Sequence, residues 1–588
     1  MIVLGLSFDY HDSAAALIRD GQVIAAAQEE RFSRKKNDPR FPKHAIDFCL
    51  EQAGIRAADL DRVIFYEKPF VKFDRIVKAT LARYPESRNY FRNALRSWSI
   101  KKKFLALPRI IEHLGIPFWK VRSVSHHDAH AGAAFFCSPF NEATILTIDG
   151  VGEYETMSIA VGRGGRIRKI ASMSLPHSIG LFYSAFTAFL GFEVNEGEYK
   201  VMGMAGFGKP VHAERLLSWF SFRSDGTFRL KQDYFNFLTP EELSYTPRLV
   251  EELGPPREAE SLFNVSGDPD NTAVQMSRHY ADIAASVQKV TEEVILRLCK
   301  TAVEQTGIQN LCMAGGVAMN SLANGRVKHE LGLPLFVHPA AGDSGSAIGA
   351  ALFYTYRHRP GTIRTPMTHG LWGREYSDQE IAQSVKETYM RYTQTFASDE
   401  EICDVAARLL HQGSVIGWVQ GRFEWGPRAL GARSILANPV LPGMQAIVNE
   451  KIKFREPFRP FAPSVLEERA SEYFEIGRID SPSDPEHFML AICPVRADKR
   501  SIVPSITHVD GTARVQLVKR IEQPIFYGMI EKFAAYSGVP MVMNTSFNLR
   551  GEPIVNTPKN AIKTFEWSGM DYLVLGRTLV AKNPIPIL

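Results

Sequence analysis

The chain has 588 residues, 45% hydrophobic, 11% aromatic and 23% charged, and its 69 basic and 64 acidic side chains leave a formal charge of +5. That length exceeds what one hydrophobic core organises, so two unequal domains are expected, and the composition excludes a disordered protein. The charge is too weak for a surface that wraps nucleic acid, and no apolar run is long enough to span a membrane.

The six cysteines, Cys49, Cys137, Cys299, Cys312, Cys403 and Cys493, are too scattered for a disulfide or zinc framework. They read as buried thiols in a reducing compartment. Met1 to Leu6 is apolar but lacks a basic flank and soon meets Asp9, which argues against a secretory signal. A cytoplasmic location is expected.

Three short strands are predicted at Ile2–Phe8, Ala14–Arg19 and Val23–Gln28, with a turn at Asp20-Gly21 and a helix starting near Pro42. Arg31, Arg34, Lys35, Lys36 and Arg40 form the densest early basic cluster. A second, Arg96 with Lys101, Lys102 and Lys103, reads as a solvated helix face. The three-strand sketch returns at Ala143–Asp149, Thr156–Val161 and Ile167–Ser172, with Gly162, Gly164 and Gly165 making the turn. The architecture is therefore duplicated.

In each copy the first strand ends on a carboxylate at a turn: Asp9 before His11-Asp12-Ser13, and Asp149 before Gly150-Val151-Gly152. Such turns offer backbone N–H groups and a metal-binding carboxylate to a phosphate lying between two halves. A strand Leu311–Ala314 then enters Gly315-Gly316-Val317-Ala318-Met319-Asn320. Ala341 to Ser346 repeats that logic before a helix Ala347–Tyr356. These elements describe an α/β protein with an N-terminal actin-like duplicated domain. Residues 1–357 make that domain, the pattern loosens over a linker at 358–400, and residues 401–588 form a second α/β domain.

Ser125 to Gly132 follows a predicted strand, Trp119–Val124, and opens a helical run. His126 and His130 thus fall one turn apart, where two imidazoles can share a metal, although His127 with His130 has comparable spacing. Asp149 and Asp343 add carboxylates, and two histidines with carboxylate oxygens suit a divalent first-row ion such as iron. Asp343 can instead cap its helix or meet a ribose.

The second domain is cationic where it is irregular. Lys453, Arg455 and Arg459 crowd a proline-punctuated stretch, and Asn544-Thr545-Ser546-Phe547-Asn548 follows a predicted strand, Val539–Met543. Arg428, Arg433 and Arg514 add to the positive field, which suits phosphate-like anions.

At these residues the chain resembles the carbamoyltransferases of nodulation and antibiotic tailoring, in which a Kae1-like domain is joined to a YrdC-like domain. The resemblance rests on His11-Asp12-Ser13, Glu30 to Lys36, the His126 and His130 pair, Gly197 to Ala205, Ala314 to Asn320, Gly426 to Gly431, and Asn544 to Asn548. It implies that the YrdC-like domain makes carbamoyl-adenylate from carbamoyl phosphate and ATP, taken with Mg(II), using Arg428, Lys453, Arg455, Arg459, Arg514, Asn544, Ser546 and Asn548. It further implies that His126, His130, Asp149 and Asp343 hold Fe(II) in the Kae1-like (ASKHA) domain, where a hydroxyl of a sugar or natural-product acceptor takes the carbamoyl group and AMP leaves. Asp9, Asp12, Gly197, Lys200, Gly315, Gly316 and Asn320 would bind nucleotide, with His11 as general base and Lys36 stabilising charge. The family commonly reads Lys-His-Asp where this chain has Lys36-Asn37-Asp38, so the choice between Lys35 and Lys36 stays open. Two other readings compete. One is a threonylcarbamoyl-adenosine synthase acting on tRNA, which the weak charge disfavours. The other is a non-catalytic actin-like nucleotide-binding regulator.

Overall fold

The structure, a computed structural model, describes residues 1–100, 103–239, 243–456 and 458–585. Lys101 and Lys102 of the second basic cluster, and Pro457 of the proline-punctuated stretch, lie outside the described residues. Strand segments such as Ile2–Ser7 and Ala14–Arg19 are apolar almost throughout rather than alternating, the pattern of strands covered on both faces.

Two five-stranded sheets follow. One runs in the order Gln22–Gln28, Ala14–Arg19, Ile2–Ser7, Arg62–Phe65, Val121–Ser123, and the other in the order Arg166–Ser174, Glu155–Arg163, Glu142–Ile148, Leu311–Ala314, Leu335–Val337. In chain order both read third, second, first, fourth, fifth. The duplication expected from the turn pattern is thus repeated in the topology. The predicted strand Trp119–Val124 is shorter, because Pro117 starts a 3-10 turn over Phe118–Lys120 and leaves Val121–Ser123 as the strand.

The described residues form two compact units. The first comprises Met1–Asp9, Leu17–Gln22 and Ile55–Pro366, and the second Tyr10–Ala16, Val23–Gly54 and Met367–Leu588. Within the first unit, the helices His126–Phe136 and Gly345–His358 cross through glycine. A Cβ on Gly132 would stand 2.4 Å from the Gly349 carbonyl oxygen, and one on Gly349 would stand 1.9 Å from that of Ala129. Only glycine allows this approach, and it brings the start of one helix against the start of the other.

The second unit is built on an eight-stranded sheet in the order Tyr392–Thr395, Thr578–Ala581, Tyr572–Leu575, Ile416–Val419, Arg433–Ala437, Met541–Ser546, Ala462–Leu466, Gln516–Val518. Alternation divides its side chains between two cores. Val415, Val419, Met541 and Met543 enter one, while Ile416, Trp418 and Val542 enter the other. The loosened segment at 358–400 holds more structure than its pattern implies: a helix, Asp378–Glu387, started by a Ser377–Glu380 capping box, and the strand Tyr392–Thr395. Asn544, Thr545 and Ser546 lie within the strand Met541–Ser546 rather than after it. All six cysteines are buried and unpaired by disulfides, and no described helix is long and apolar enough to cross a membrane.

Candidate metal centre and cation-lined site

His126 begins its helix under tight control. The Ser125 hydroxyl caps the Asp128 N–H, and both oxygens of Glu153 accept from the His126 N–H at 3.1 Å. Glu153 also accepts from the Lys68 N–H at 2.8 Å. With the first turn fixed, His126 Nε2 and His130 Nε2 face each other 3.1 Å apart, and Asp149 Oδ2 lies 2.7 and 3.2 Å from them. Asp343 Oδ1 is 3.6 Å from both nitrogens. The four donor atoms lie within 4.8 Å of one another.

His127 does not belong to this set. Its Nδ1 meets Thr147 Oγ1 at 2.7 Å and its Nε2 meets the Glu155 carbonyl at 2.9 Å, so both ring nitrogens serve packing.

The charges at the cluster are coupled. Burial works against a charged His130, yet hydrogen bonds to Asp149 and Asp343 outweigh it and raise the imidazole to about 9. Burial would raise Asp149, but its histidine partners hold that carboxyl well below the usual range. Two imidazole nitrogens aimed at one point between two carboxylates fit a divalent cation. Ser346 Oγ lies 3.2 Å from His130 Nδ1, a contact that turns Nε2 toward the carboxylates. His338 stands beneath the same turn with Nδ1 accepting from the Ala340 N–H at 3.1 Å, and burial lowers it to about 4. Glu153, Ser346 and His338 carry no signature of these roles in the sequence.

The other expected residues of the first unit surround this point in part. Gly315 has φ +97°, and a Cβ there would meet the Ile148 carbonyl oxygen at 2.1 Å, while the Gly316 N–H donates to Asp149 Oδ1 at 3.2 Å. Asn320 caps the helix Ser321–Leu331 and exchanges hydrogen bonds with Gln288 at 3.0 and 3.1 Å. Gly197 caps the helix Glu198–Ala205, and Lys200 lies over the Phe192 ring at 5.5 Å. Asp9 has φ +77° and holds the Arg109 guanidinium with both oxygens at 2.9 Å, a partner that the sequence does not reveal.

In the second unit Lys453 is buried, and its Nζ donates to the Ser546 and Asn548 carbonyls, both at 2.8 Å, and to Asn548 Oδ1 at 2.6 Å. Burial, then Arg455 and Arg459, push its pKa well below the ordinary lysine range. Arg514 is likewise driven down by burial and then by Arg428, Arg455 and Arg459, and its Nε has no hydrogen-bond partner among the described residues. Cations clustered this closely call for an anion. Arg455 donates to Asn449 Oδ1 at 2.7 Å, Arg459 pairs with Glu456 at 3.3 Å, and Asn544 bridges Ser464 and Gln516 at 2.9 and 3.0 Å.

Arg433 does not contribute to that field. It is fully buried, donates to the carbonyls of Gln420, Gly421 and Asn556, and burial lowers it to about 10. Of the early basic cluster, Arg31 and Arg34 likewise donate to carbonyls, of Gly426 and of Pro553 and Ile554, instead of facing solvent. His11 and Lys36 lie in segments of this unit: His11 Nδ1 is 2.9 Å from Asp12 Oδ2, and the half-buried Lys36 is close enough to depress Lys453. Lys35 is exposed.

The α/β chain thus carries a four-donor cluster that fits a divalent cation, and a buried lysine beside half-buried guanidinium groups that suit an anion. Residues 2–352 match the family described as Carbamoyltransferase N-terminus, and residues 407–582 match Carbamoyltransferase C-terminus. The chain belongs to the carbamoyltransferase family and is a carbamoyltransferase enzyme. It is 42% identical to Uncharacterized protein sll1178 of Synechocystis over 99% of this chain and 97% of that one. It is 34% identical to Nodulation protein NolNO of Sinorhizobium fredii over 97% of this chain and 79% of that one. Among solved structures, HypF of T. kodakarensis aligns at 14% identity over 61% of this chain and 48% of that one, with a TM-score of 0.31.

Proposed function

We propose that this enzyme is an ATP-dependent O-carbamoyltransferase working in two steps. Around Lys453, carbamoyl phosphate, ATP and water give carbamoyl-adenylate, phosphate and pyrophosphate. At the His126 and His130 centre, the acceptor hydroxyl oxygen then bonds to the carbamoyl carbon, the bond from that carbon to the adenylate oxygen breaks, and AMP leaves. The acceptor is a small hydroxylated molecule, a sugar or a natural product, and the cytoplasm supplies carbamoyl phosphate and ATP.

The observation that carries this reading is the pairing, in one carbamoyltransferase-family chain, of two clusters of opposite need: one gathers carboxylates and imidazoles, the other gathers half-buried arginines around the buried Lys453. Lys453, Arg428, Arg455, Arg459 and Arg514 supply positive charge to phosphate oxygens, and Ser546 and Asn548 hold the lysine in place. Asn544 keeps the neighbouring strand in register with Ser464. His11, whose Nδ1 lies 2.9 Å from Asp12 Oδ2, takes the acceptor proton as general base. Lys36 stabilises negative charge on the leaving phosphate. Gly315 and Gly316 bring backbone close to the nucleotide of the adenylate, with Gly197, Lys200, Asn320 and Asp9 as its other contacts.

His126, His130, Asp149 and Asp343 would hold a divalent first-row ion such as Fe(II), which supplies Lewis acidity toward the carbamoyl oxygen. ATP enters as its Mg(II) complex.

The test separates the two steps. Pyrophosphate release should require carbamoyl phosphate and disappear in Lys453→Ala. In His126→Ala it should persist, while carbamoylation of hydroxylated metabolites, read by mass shift, is lost. Transfer to tRNA alone, or pyrophosphate release indifferent to carbamoyl phosphate, would overturn the proposal.

A further inference from the structure

The antiparallel pair Glu155–Arg163 and Arg166–Ser174, in the first unit, carries an arrangement that sheet energetics disfavours. Its register sets Arg163 directly opposite Arg166, and Arg168 opposite Val161. Like charges directly opposite in a sheet are destabilising. Because side chains alternate along a strand, Arg166, Arg168 and Ile170 share one face.

The opposite face of that strand is treated differently. Lys169 points there and is neutralised by Glu155 at 2.6 Å and Asp128 at 3.8 Å. On the face of Arg166 and Arg168, their neighbour Arg163 finds Glu142 at 3.2 Å. Arg166 and Arg168 have no carboxylate partner among the described residues. They line a cavity of about 200 Å³, with Val161 and Ile170 as an apolar wall and Gln305, near the end of the helix Thr272–Thr306, as a polar edge. The cavity lies at the hairpin end of the strand, roughly 20 Å along it from the end that carries Glu155.

We infer that this cavity is a second binding site, separate from both clusters, for a phosphate monoester carrying a small ring. Two guanidinium forks supply paired donors to phosphate oxygens, which a lone ammonium cannot match. Val161 and Ile170 take the apolar face of the ring, and the Gln305 amide takes a ring hydroxyl or carbonyl. The bound anion offsets the repulsion that the Arg163 and Arg166 register creates.

The probe is ribose 5-phosphate, with inorganic phosphate beside it, added to the full chain while amide hydrogen exchange is followed across the hairpin. Ribose 5-phosphate should slow exchange between the two strands more than phosphate does at equal concentration. In R166A/R168A the protection should weaken by at least about tenfold in apparent affinity. Pyrophosphate release should be unchanged in that variant, and its thermal midpoint equal or higher because like charges are removed. R166K/R168K keeps the charge but not the forks, and should recover only part of the binding. Absence of protection in the unmodified chain, or equal protection in R166A/R168A, would overturn the inference. Equal protection by phosphate alone would overturn the part assigned to the ring.

Discussion

The proton on His130 offers a quantitative test of the cation site. Without a metal, hydrogen bonds to Asp149 and Asp343 outweigh burial and raise this imidazole to about 9. An unfolded histidine titrates near 6.5, and each pH unit between the two states is worth about 1.4 kcal/mol, so protonated His130 contributes about 3 kcal/mol. Because the folded value is the higher one, that stability is fully present below about pH 6.5 and is lost as pH rises through about 9. Chemical unfolding of the chelator-treated protein and of His130→Gln, near pH 6 and again near pH 9.5, measures it. The gap between the two proteins should be larger by about 3 kcal/mol on the acid side. Asp149 is held well below the usual carboxylate range by its histidine partners, so in the unmodified protein it stays charged throughout this window. Adding a divalent metal reverses the trend, because a ligating imidazole must release its proton and metal-conferred stability then grows with pH. A gap that ignores pH in the apoprotein, or metal stabilisation equal at both ends, would refute the reasoning.

Three further outcomes are expected. Ser346→Ala removes the partner of His130 Nδ1 and should weaken metal binding by about 10- to 100-fold, read by competition with a chelating dye, with the thermal midpoint of the apoprotein little changed. Gly315→Ala drives a Cβ to 2.1 Å from the Ile148 carbonyl oxygen at φ +97°, and circular dichroism should report a protein that melts far earlier or fails to fold. Glu424 Oε1 accepts from the N–H groups of Leu430, Ala432 and Arg433 at 2.7 to 2.9 Å, so Glu424→Ala orphans three buried donors. At about 1 kcal/mol or more for each, it should cost at least about 3 kcal/mol in chemical unfolding; Glu424→Gln, which keeps one acceptor oxygen, should cost less.

Features set by local chemistry were legible in the sequence, and features set by distant partners were not. The repeated strands showed because their apolar runs end in glycine and aspartate turns, and the His126 and His130 pair showed because one helical turn separates them. The strand Tyr392–Thr395 was invisible: all four residues are exposed at a sheet edge, so it has no apolar alternation. Arg433 looked like a phosphate ligand because a buried guanidinium and a ligand-facing one have the same local signature, and only the carbonyls of Gln420, Gly421 and Asn556 distinguish them. Asp9 reads as an open carboxylate until Arg109 is found on it. Glu153 and Ser346 are single residues whose roles exist only once two helix starts have been brought together through Gly132 and Gly349.

The two clusters can be compared by what each leaves uncompensated. Around His130 the protein gathers two carboxylates and two imidazoles at one point, and a proton on His130 offsets part of that charge. Around Lys453 it gathers cations, and the pKa values of Lys453 and Arg514 fall because burial and mutual repulsion act together. Neither arrangement is the least costly way to fill a core, since packed apolar side chains would carry no desolvation penalty. Each would be relieved by a ligand of the opposite sign: a cation in the first case, a phosphate in the second. The exposed arginines of the hairpin follow the same rule at smaller cost, because solvent already screens them, and an anion there should accordingly bind more weakly and with stronger salt dependence than an anion at Lys453 would.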